Sequence, residues 1–317
     1  MFYNVENLFD TRDEPLKNDD EFLPEGFMHW TPRKYREKLR NITRVITAVG
    51  EMYPPAVVGM CEVENDSVLF DLTRRTPLRA QGYAYLITDS PDKRGINVAL
   101  LYQSHQFRLL ETAEYEVTFR HRGRRPTRNI LHAIGEVISG DTLDLFVCHF
   151  PSRSEGRRET EPARIDAAAL LRKKCDSIFA LRTTAHILIM GDFNDHPGNA
   201  SLSRILRAGR KESRYEPKEL YNLFDPSDTE RDTGTYKYQG RWEILDQFIV
   251  SGNLLMKENN IRIRGDRAEI FRAPFLLEKD DRYYGMKPFR TNLGPHYQGG
   301  FSDHLPIYTE LVIREAK

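Results

Sequence analysis

The sequence of 317 residues is poor in cysteine and has no long apolar run. Its three cysteines, Cys61, Cys148 and Cys175, are an odd number at wide spacing, which argues against a disulfide framework and a zinc-finger ligand set. Cys61 and Cys148 lie within apolar runs and are expected to be buried. No stretch of about 20 apolar residues could cross a bilayer, and no signal-peptide pattern opens the chain. Because the first residues, MFYNV, already read as a strand, the sequence assigns no compartment.

Net charge is also missing, since 47 basic residues balance 47 acidic ones. A surface built to coat nucleic acid would be strongly basic, so that class is disfavoured, while a local basic patch stays open. Repeats, low-complexity tracts and obvious linkers are absent too. We therefore expect one domain over residues 1–317, because large α/β folds of this length often form a single unit. We also expect a monomer.

Short apolar runs alternate with two amphipathic segments. Residues 31–52 are predicted to form a helix, with Thr31 as its N-cap and Pro32 at the first helical position. A second long helix is expected over 158–182. Strands and helices in this irregular order favour a large α/β sandwich over a regular βαβ repeat. The predicted strands span 1–5, 56–64, 82–89, 96–103, 131–138, 143–150, 186–193, 243–251 and 305–313.

Polar residues occur at or near the ends of several of these strands. In IMGDFNDHPG, residues 189–198, apolar residues lead directly into Asp192 and Asn194. Each such residue alone has an ordinary explanation, because Asx residues often make turns and a single strand histidine is more often structural than catalytic. Their joint occurrence instead indicates a site. The other members are Asn4, Glu6, Glu62, His149, Asp246, Asp303 and His304.

The chemistry of these side chains favours a metal. Carboxylates that converge at one edge of a sheet repel each other unless a cation lies among them. The candidate ligands are carboxylate and amide oxygens, which favour Mg²⁺, or Mn²⁺ in its place, over zinc. The sequence therefore predicts a metal site at the strand ends.

Six motifs follow one another along nearly the whole chain: YNVEN, GMCEVEN, HFPSR, GDFND, LDQFIV and GFSDHLPI. In this order they resemble the endonuclease/exonuclease/phosphatase superfamily, which includes DNases, abasic-site endonucleases, neutral sphingomyelinases and inositol polyphosphate 5-phosphatases. GDxN and SDH together, after the earlier Asn and Glu motifs, make the resemblance specific. It implies a DNase I-like, four-layered α/β sandwich: two mixed β-sheets packed face to face, with helices on both outer faces.

The resemblance also implies metal ligands. Glu62 would be the principal ligand of the metal. Asn4, Glu6 and Asp303 would complete or border the metal site, although the match at Glu6 is softer because many members have Asp there. A bound Mg²⁺ would stabilise charge on a phosphoryl group as a Lewis acid.

Catalytic roles carry over in the same way. Asp192 would orient or deprotonate the attacking water, and Asn194 would donate to a phosphate oxygen. His304, held by Asp246, would act as a general base or stabilise the transition state. His149 takes the place of the second catalytic histidine of the DNase and sphingomyelinase branches. Abasic-site nucleases have Tyr there, so His149 favours the former branches.

Phosphate contacts are expected from arginines. Arg128 lies where DNase-like members place a phosphate-contacting arginine, Arg153 follows His149 by four residues, and Arg94 precedes a strand. Asn97 on that strand is expected to support His149. Each arginine also has an ordinary explanation as a solvated surface residue.

The predicted reaction is Mg²⁺-dependent hydrolysis of a phosphodiester by in-line attack of an activated water, with a nucleic-acid endonuclease or exonuclease placed first. A small-molecule or lipid phosphatase or phosphodiesterase, acting on an inositol phosphate or sphingomyelin-like ester, stays open because the family shares one machinery. An inactive binding module is disfavoured, because the residues that catalysis needs are all present. We expect specificity to depend on two long insertions, 8–31 and 261–300.

Overall fold

The structure is a computed structural model that describes residues 1–121, 124–210, 214–225 and 233–314. Within these residues the α-helices are α1 (Pro32–Gly50), α2 (Asp66–Arg74) and α3 (Arg157–Leu181). The first thirteen strands are β1 (Phe2–Leu8), β2 (Val57–Val63), β3 (Tyr83–Ile87), β4 (Asn97–Gln103), β5 (Phe107–Tyr115), β6 (Ile130–Val137), β7 (Thr142–His149), β8 (His186–Asp192), β9 (Ala208–Gly209), β10 (Leu220–Asn222), β11 (Tyr236–Tyr238), β12 (Arg241–Glu243) and β13 (Asp246–Ser251). The remaining strands are β14 (Ile261–Ile263), β15 (Glu269–Ile270), β16 (Leu277–Lys279), β17 (Met286–Pro288), β18 (Asn292–Leu293), β19 (His296–Tyr297), β20 (Ile307–Tyr308) and β21 (Leu311–Ile313).

Two large mixed sheets form the centre of the fold. The first has the strand order β15-β20-β1-β2-β4-β3, and the second has the order β5-β6-β7-β8-β13-β10-β9. One apolar cluster fills the space between their facing sides. A second cluster packs α1 and α2 against the outer face of the first sheet, and a third packs α3 against the outer face of the second. The predicted four-layered α/β sandwich is confirmed.

Local sequence explains the first helix. The Thr31 hydroxyl accepts a hydrogen bond from the Lys34 backbone N–H, and Pro32 occupies the first turn, where its missing N–H costs nothing. Leu39, Ile42 and Ile46 are buried on one side of this helix. The apolar stripe therefore sets which side faces the sheet.

Most predicted strands are confirmed within a few residues, but the C-terminal part of the chain differs. The run 305–313 was predicted as one strand, and it is two: β20 pairs with β1 and β15, whereas β21 pairs with β14. No strand was predicted in the region 261–300, and it contains several short paired strands. Helix α2 and strand β5 were not predicted.

The strand directions bring one set of ends together. Strands β1 and β2 are parallel, and so are β7 and β8. Strand β13 runs antiparallel to β8, so its first residue, Asp246, pairs with the last residue of β8, Asp192. His149 at the end of β7 pairs with Asp192 from the other side. One end of the sandwich therefore collects the polar residues that follow these strands. Within the described residues, no helix combines the length and apolarity needed to cross a membrane.

Candidate active site

A buried histidine–carboxylate network occupies this end of the sandwich. His304 Nδ1 lies 2.7 Å from Asp246 Oδ2, and His304 Nε2 lies 3.8 Å from Asp192 Oδ2. The Tyr236 ring covers the imidazole, with ring centroids 4.8 Å apart. Burial by itself would lower the pKa of His304, but Asp246 and Asp192 raise it well above its ordinary value. The Nδ1–H is thus fixed on Asp246, while Nε2–H faces Asp192.

Two opposing effects act on the pKa of Asp192. Burial raises the pKa, while protonated His304 and the hydrogen bonds from Asn194 and Asn4 counteract part of that rise. The net effect is a raised pKa. The Asn194 backbone N–H donates to Oδ1 over 2.9 Å, and Asn4 Nδ2 donates to Oδ2 over 3.1 Å. A carboxylate whose pKa is raised is a better proton acceptor near neutral pH.

His149 differs from His304 in charge and in partners. Its Nε2 lies 3.7 Å from Asp192 Oδ2, and its buried Nδ1 has no hydrogen-bond partner among the described residues. Burial, with further contributions from Arg128, Arg94 and His304, lowers the pKa of His149 well below its ordinary value. The site therefore pairs a cationic histidine with a neutral one.

Glu62 stands at the rim of this network. Its Oε2 accepts a hydrogen bond from the Asn7 backbone N–H over 3.0 Å, and Oε1 lies 3.5 Å from Asn4 Nδ2. Asn4 Oδ1 accepts from the Glu6 backbone N–H, so Asn4 turns its amide nitrogen toward the acids. In this orientation Asn4 borders the carboxylates, and its oxygen points away from them.

The backbone is strained at these positions. Glu6, Asn7, Glu62 and Asn194 all have φ between 50° and 64°, a region that costs energy for residues other than glycine. Glu6, Asn7 and Glu62 lie at the irregular ends of β1 and β2, where the pairing register shifts, and Asn194 follows β8. Residues take this conformation when their side chains or amides must face a particular point. At Asn194, for example, the backbone N–H is thereby directed at Asp192.

Glu6 and Asp303 are tied by a residue that the sequence analysis missed. Arg290 Nε donates to Glu6 Oε1 over 3.0 Å, and its Nη2 contacts Asp303 Oδ2 at 3.1 Å. The Thr291 backbone N–H donates to the other oxygen of Glu6. Buried Lys38, also missed, adds positive charge nearby and donates to the Phe301 carbonyl. Glu6 therefore lies in an ion pair, and Asp303 shares its cation.

The predicted phosphate contacts have other partners. Arg128 is buried, with Nη1 3.2 Å from Asp92 and Nη2 donating to the Phe150 carbonyl. Arg153 donates to the Asn194 carbonyl and pairs with Glu243 and Asp195. Through the contacts with Asn194 and Asp195, Arg153 stabilises the loop after β8.

Arg94 and Asn97 lie beside the site. Arg94 donates to the Asn7 side chain over 2.5 Å, and it is the most exposed of the three predicted arginines. The expected support of His149 by Asn97 is wrong, because the Asn97 amide donates to the Glu64 carbonyl and accepts from the Ser90 N–H. The amide is thus directed at Glu64 and Ser90, and His149 Nδ1 has no hydrogen-bond partner among the described residues.

Comparisons with known proteins identify the family and the fold of the chain. A sequence profile described as Endonuclease/Exonuclease/phosphatase family matches residues 1–313. This chain belongs to that family. Its members hydrolyse phosphoric esters, and the chain is an enzyme of this class. Comparison with curated protein sequences gave no significant match.

Solved structures show the same fold at low sequence identity. The mannosyl-6-phosphatase Bt3783 of Bacteroides thetaiotaomicron VPI-5482 is 16% identical with a TM-score of 0.58, and 98% of each chain is covered. Humanized D. rerio TDP2 is 16% identical with a TM-score of 0.56, covering 88% of this chain and 93% of that one. The human Nocturnin catalytic domain is 14% identical with a TM-score of 0.52, covering 88% and 87%.

Proposed function

We propose that the protein is a Mg²⁺-dependent phosphoester hydrolase in which water attacks phosphorus in line with the leaving oxygen. The observation that carries this proposal is the convergence of Asp192, His304 and His149 on one point, with Glu62 beside it. Hydrolysis of this kind needs a placed water, a proton acceptor and neutralisation of charge on the phosphoryl oxygens. All three needs have candidates within this network.

The donor set fits a hard divalent cation at Glu62. The carboxylate of Glu62 is half-buried, and the negative Asp192 is linked to it through Asn4. Oxygen ligands with open positions suit Mg²⁺, which keeps several waters when bound. Asp303 and Glu6 border this position, and Arg290 balances their charge. When bound, Mg²⁺ supplies Lewis-acid stabilisation of the phosphoryl group.

Different side chains of the network then accept and donate protons. Asp192 accepts a proton from the attacking water, because its raised pKa and fixed position suit a general base. His304, protonated at Nε2 and held at Nδ1 by Asp246, donates toward the phosphoryl or leaving oxygen. The Asn194 side-chain amide donates one N–H to the Phe150 carbonyl. Its second N–H is left to donate to a phosphate oxygen.

An acidic cavity beside the site bears on the class of substrate. It has a volume of about 290 Å³, and one of its lining residues is Glu64, two residues after Glu62. Lys17, the cation of its lining, already donates to the Ser90 carbonyl. A long polyanion lying along this wall would meet more of its negative charge than a compact ester held only at the site, so we place a compact phosphate ester ahead of nucleic acid. Burial raises the pKa of Glu64 to about 8, so the other carboxylates supply most of that charge. The acidic side chains that line the cavity are Glu14, Asp19, Glu64, Asp66, Asp89 and Glu114.

A substrate panel tests both the metal dependence and the preference for a compact ester. Hydrolysis would be measured with Mg²⁺ and then with EDTA on a sugar phosphate, an inositol polyphosphate, bis-p-nitrophenyl phosphate, sphingomyelin, RNA, and single- and double-stranded DNA. We expect metal-dependent cleavage of a compact ester with the nucleic acids left intact. Cleavage of nucleic acid alone would restore the nuclease prediction. No cleavage by folded protein that binds Mg²⁺ would favour the binding module.

Glu62→Gln is expected to raise the Mg²⁺ concentration for half-maximal activity by at least about tenfold, because an amide is a weaker ligand than a carboxylate. The matched control is Glu64→Gln. The Glu64 side chain accepts a hydrogen bond from the Asp10 backbone N–H and lines the acidic cavity. The Mg²⁺ concentration for half-maximal activity of this variant should therefore match that of the wild type. An unchanged midpoint in Glu62→Gln would move the metal elsewhere.

A further inference from the structure

Cys61 lies directly behind the candidate catalytic centre. It is fully buried on β2 and belongs to the apolar cluster between the two sheets. On β7, Leu145 and Val147 face this same space, and side chains two residues apart share a face of a strand, so His149 faces inward as well. On β8 the same alternation through Met190 directs Asp192 inward.

These three side chains therefore meet in one place. The thiol of Cys61, a ring nitrogen of His149 and a carboxylate oxygen of Asp192 all lie within 4.8 Å of one another. They come from both sheets, since β2 belongs to the first and β7 and β8 to the second. A set with one sulfur, one nitrogen and one oxygen differs in chemistry from the oxygen donors around Glu62.

The His149 ring is spaced from Asp192 as two ligands of one metal ion would be. Its Nδ1 is buried without a hydrogen-bond partner in the part of the chain that the structure describes, and Nε2 lies 3.7 Å from Asp192 Oδ2, beyond hydrogen-bond length. Two ligands of one tetrahedral zinc ion, each about 2.1 Å from the metal, lie about 3.5 Å apart. The 3.7 Å between His149 Nε2 and Asp192 Oδ2 is close to that spacing, so Nε2 is the ring nitrogen placed to bind the ion.

We propose that Cys61, His149 and Asp192 form a second metal site, selective for Zn²⁺, that shares two residues with the catalytic centre. Thiolate and imidazole ligands favour Zn²⁺ strongly over Mg²⁺. Binding displaces the thiol proton of Cys61 to solvent, and the fourth position stays open toward the catalytic end. If the proposed function holds, Zn²⁺ here removes Asp192 from proton transfer and inhibits hydrolysis while Mg²⁺ is present.

The binding test needs no substrate, so its failure is separate from failure of the proposed function. Co²⁺ added to the metal-free protein should give the near-ultraviolet charge-transfer absorption of a thiolate–cobalt bond. Calorimetry with Zn²⁺ in an excess of Mg²⁺ should show one tight site. In Cys61→Ala we expect the absorption to vanish and the Zn²⁺ affinity to fall at least about tenfold.

Cys148→Ala is the matched control, because Cys148 is equally buried on β7 but faces α3. It should keep both the absorption and the affinity. Cys61→Ser, nearly the same size, serves if the alanine variant does not fold. The proposal is overturned if the wild type shows no thiolate absorption, or if Zn²⁺ binds equally well without the thiol, as it would at the second cluster of Asp192, Asp246 and His304.

Discussion

Asp192→Asn is expected to lower turnover at least about a hundredfold, the scale associated with loss of a general base. The amide has nearly the same shape, so packing at the end of β8 changes little, but it cannot accept a proton. The measurement is the initial rate on whichever ester of the panel the wild type cleaves. Turnover close to that of the wild type would remove Asp192 from the proton-transfer step.

The control for this variant is Asp176→Asn. Asp176 lies on α3, its side chain is 49% exposed, and it pairs with Arg172. The Arg172 side chain is only 8% exposed but has a second carboxylate, Glu219, at 3.8 Å, so we expect turnover to match that of the wild type, with the unfolding transition followed in parallel. Comparison of the two variants separates the loss of a particular carboxylate from the loss of one negative charge.

His304→Ala is expected to lower turnover by a similar factor, at least about a hundredfold, because the group that donates toward the phosphoryl oxygens is lost. The truncation also leaves Asp246 buried without its partner, so the unfolding transition must be followed in parallel. A folded variant with near-wild-type turnover would contradict the role proposed for this histidine.

Asp246→Asn tests the same histidine through its pKa. In the wild type the carboxylates raise that pKa, so His304 stays protonated up to high pH and activity is lost as pH rises through the pKa. Removing the charge of Asp246 lowers the pKa, and the alkaline limb of the pH–rate profile should therefore move to lower pH. If only the folding stability changes and the profile does not, Asp246 has a structural role alone.

The residues of the network could be found from the sequence because each lies at or near an end of an apolar strand, within a short motif. Asp192 and Asn194 are two residues apart, and Asp303 and His304 are adjacent, so the local pattern carries the signal. The roles assigned to them stay predictions, as do the single domain and the monomeric state. Arg290 could not be found in this way, because its partner Glu6 lies 284 residues away in the chain.

The arginines show the opposite error. Arg153 follows the histidine motif, which favoured a phosphate contact, but its guanidinium pairs with Glu243 and Asp195 under the loop after β8. A sequence shows that a cation is present but not which anion the fold brings to it. The same limit applies to Asn97, whose amide is satisfied by Ser90 and Glu64.

By itself the sequence determined the sandwich, the order of its motifs and the class of reaction, because strand and helix patterns and motif residues are local properties of the chain. Only the tertiary structure decided how these parts combine. It split the run 305–313 between two sheets, placed Arg290 between Glu6 and Asp303, and brought Cys61 behind His149. Each of these depends on distances between segments far apart in sequence, and those distances follow from how the two sheets pack.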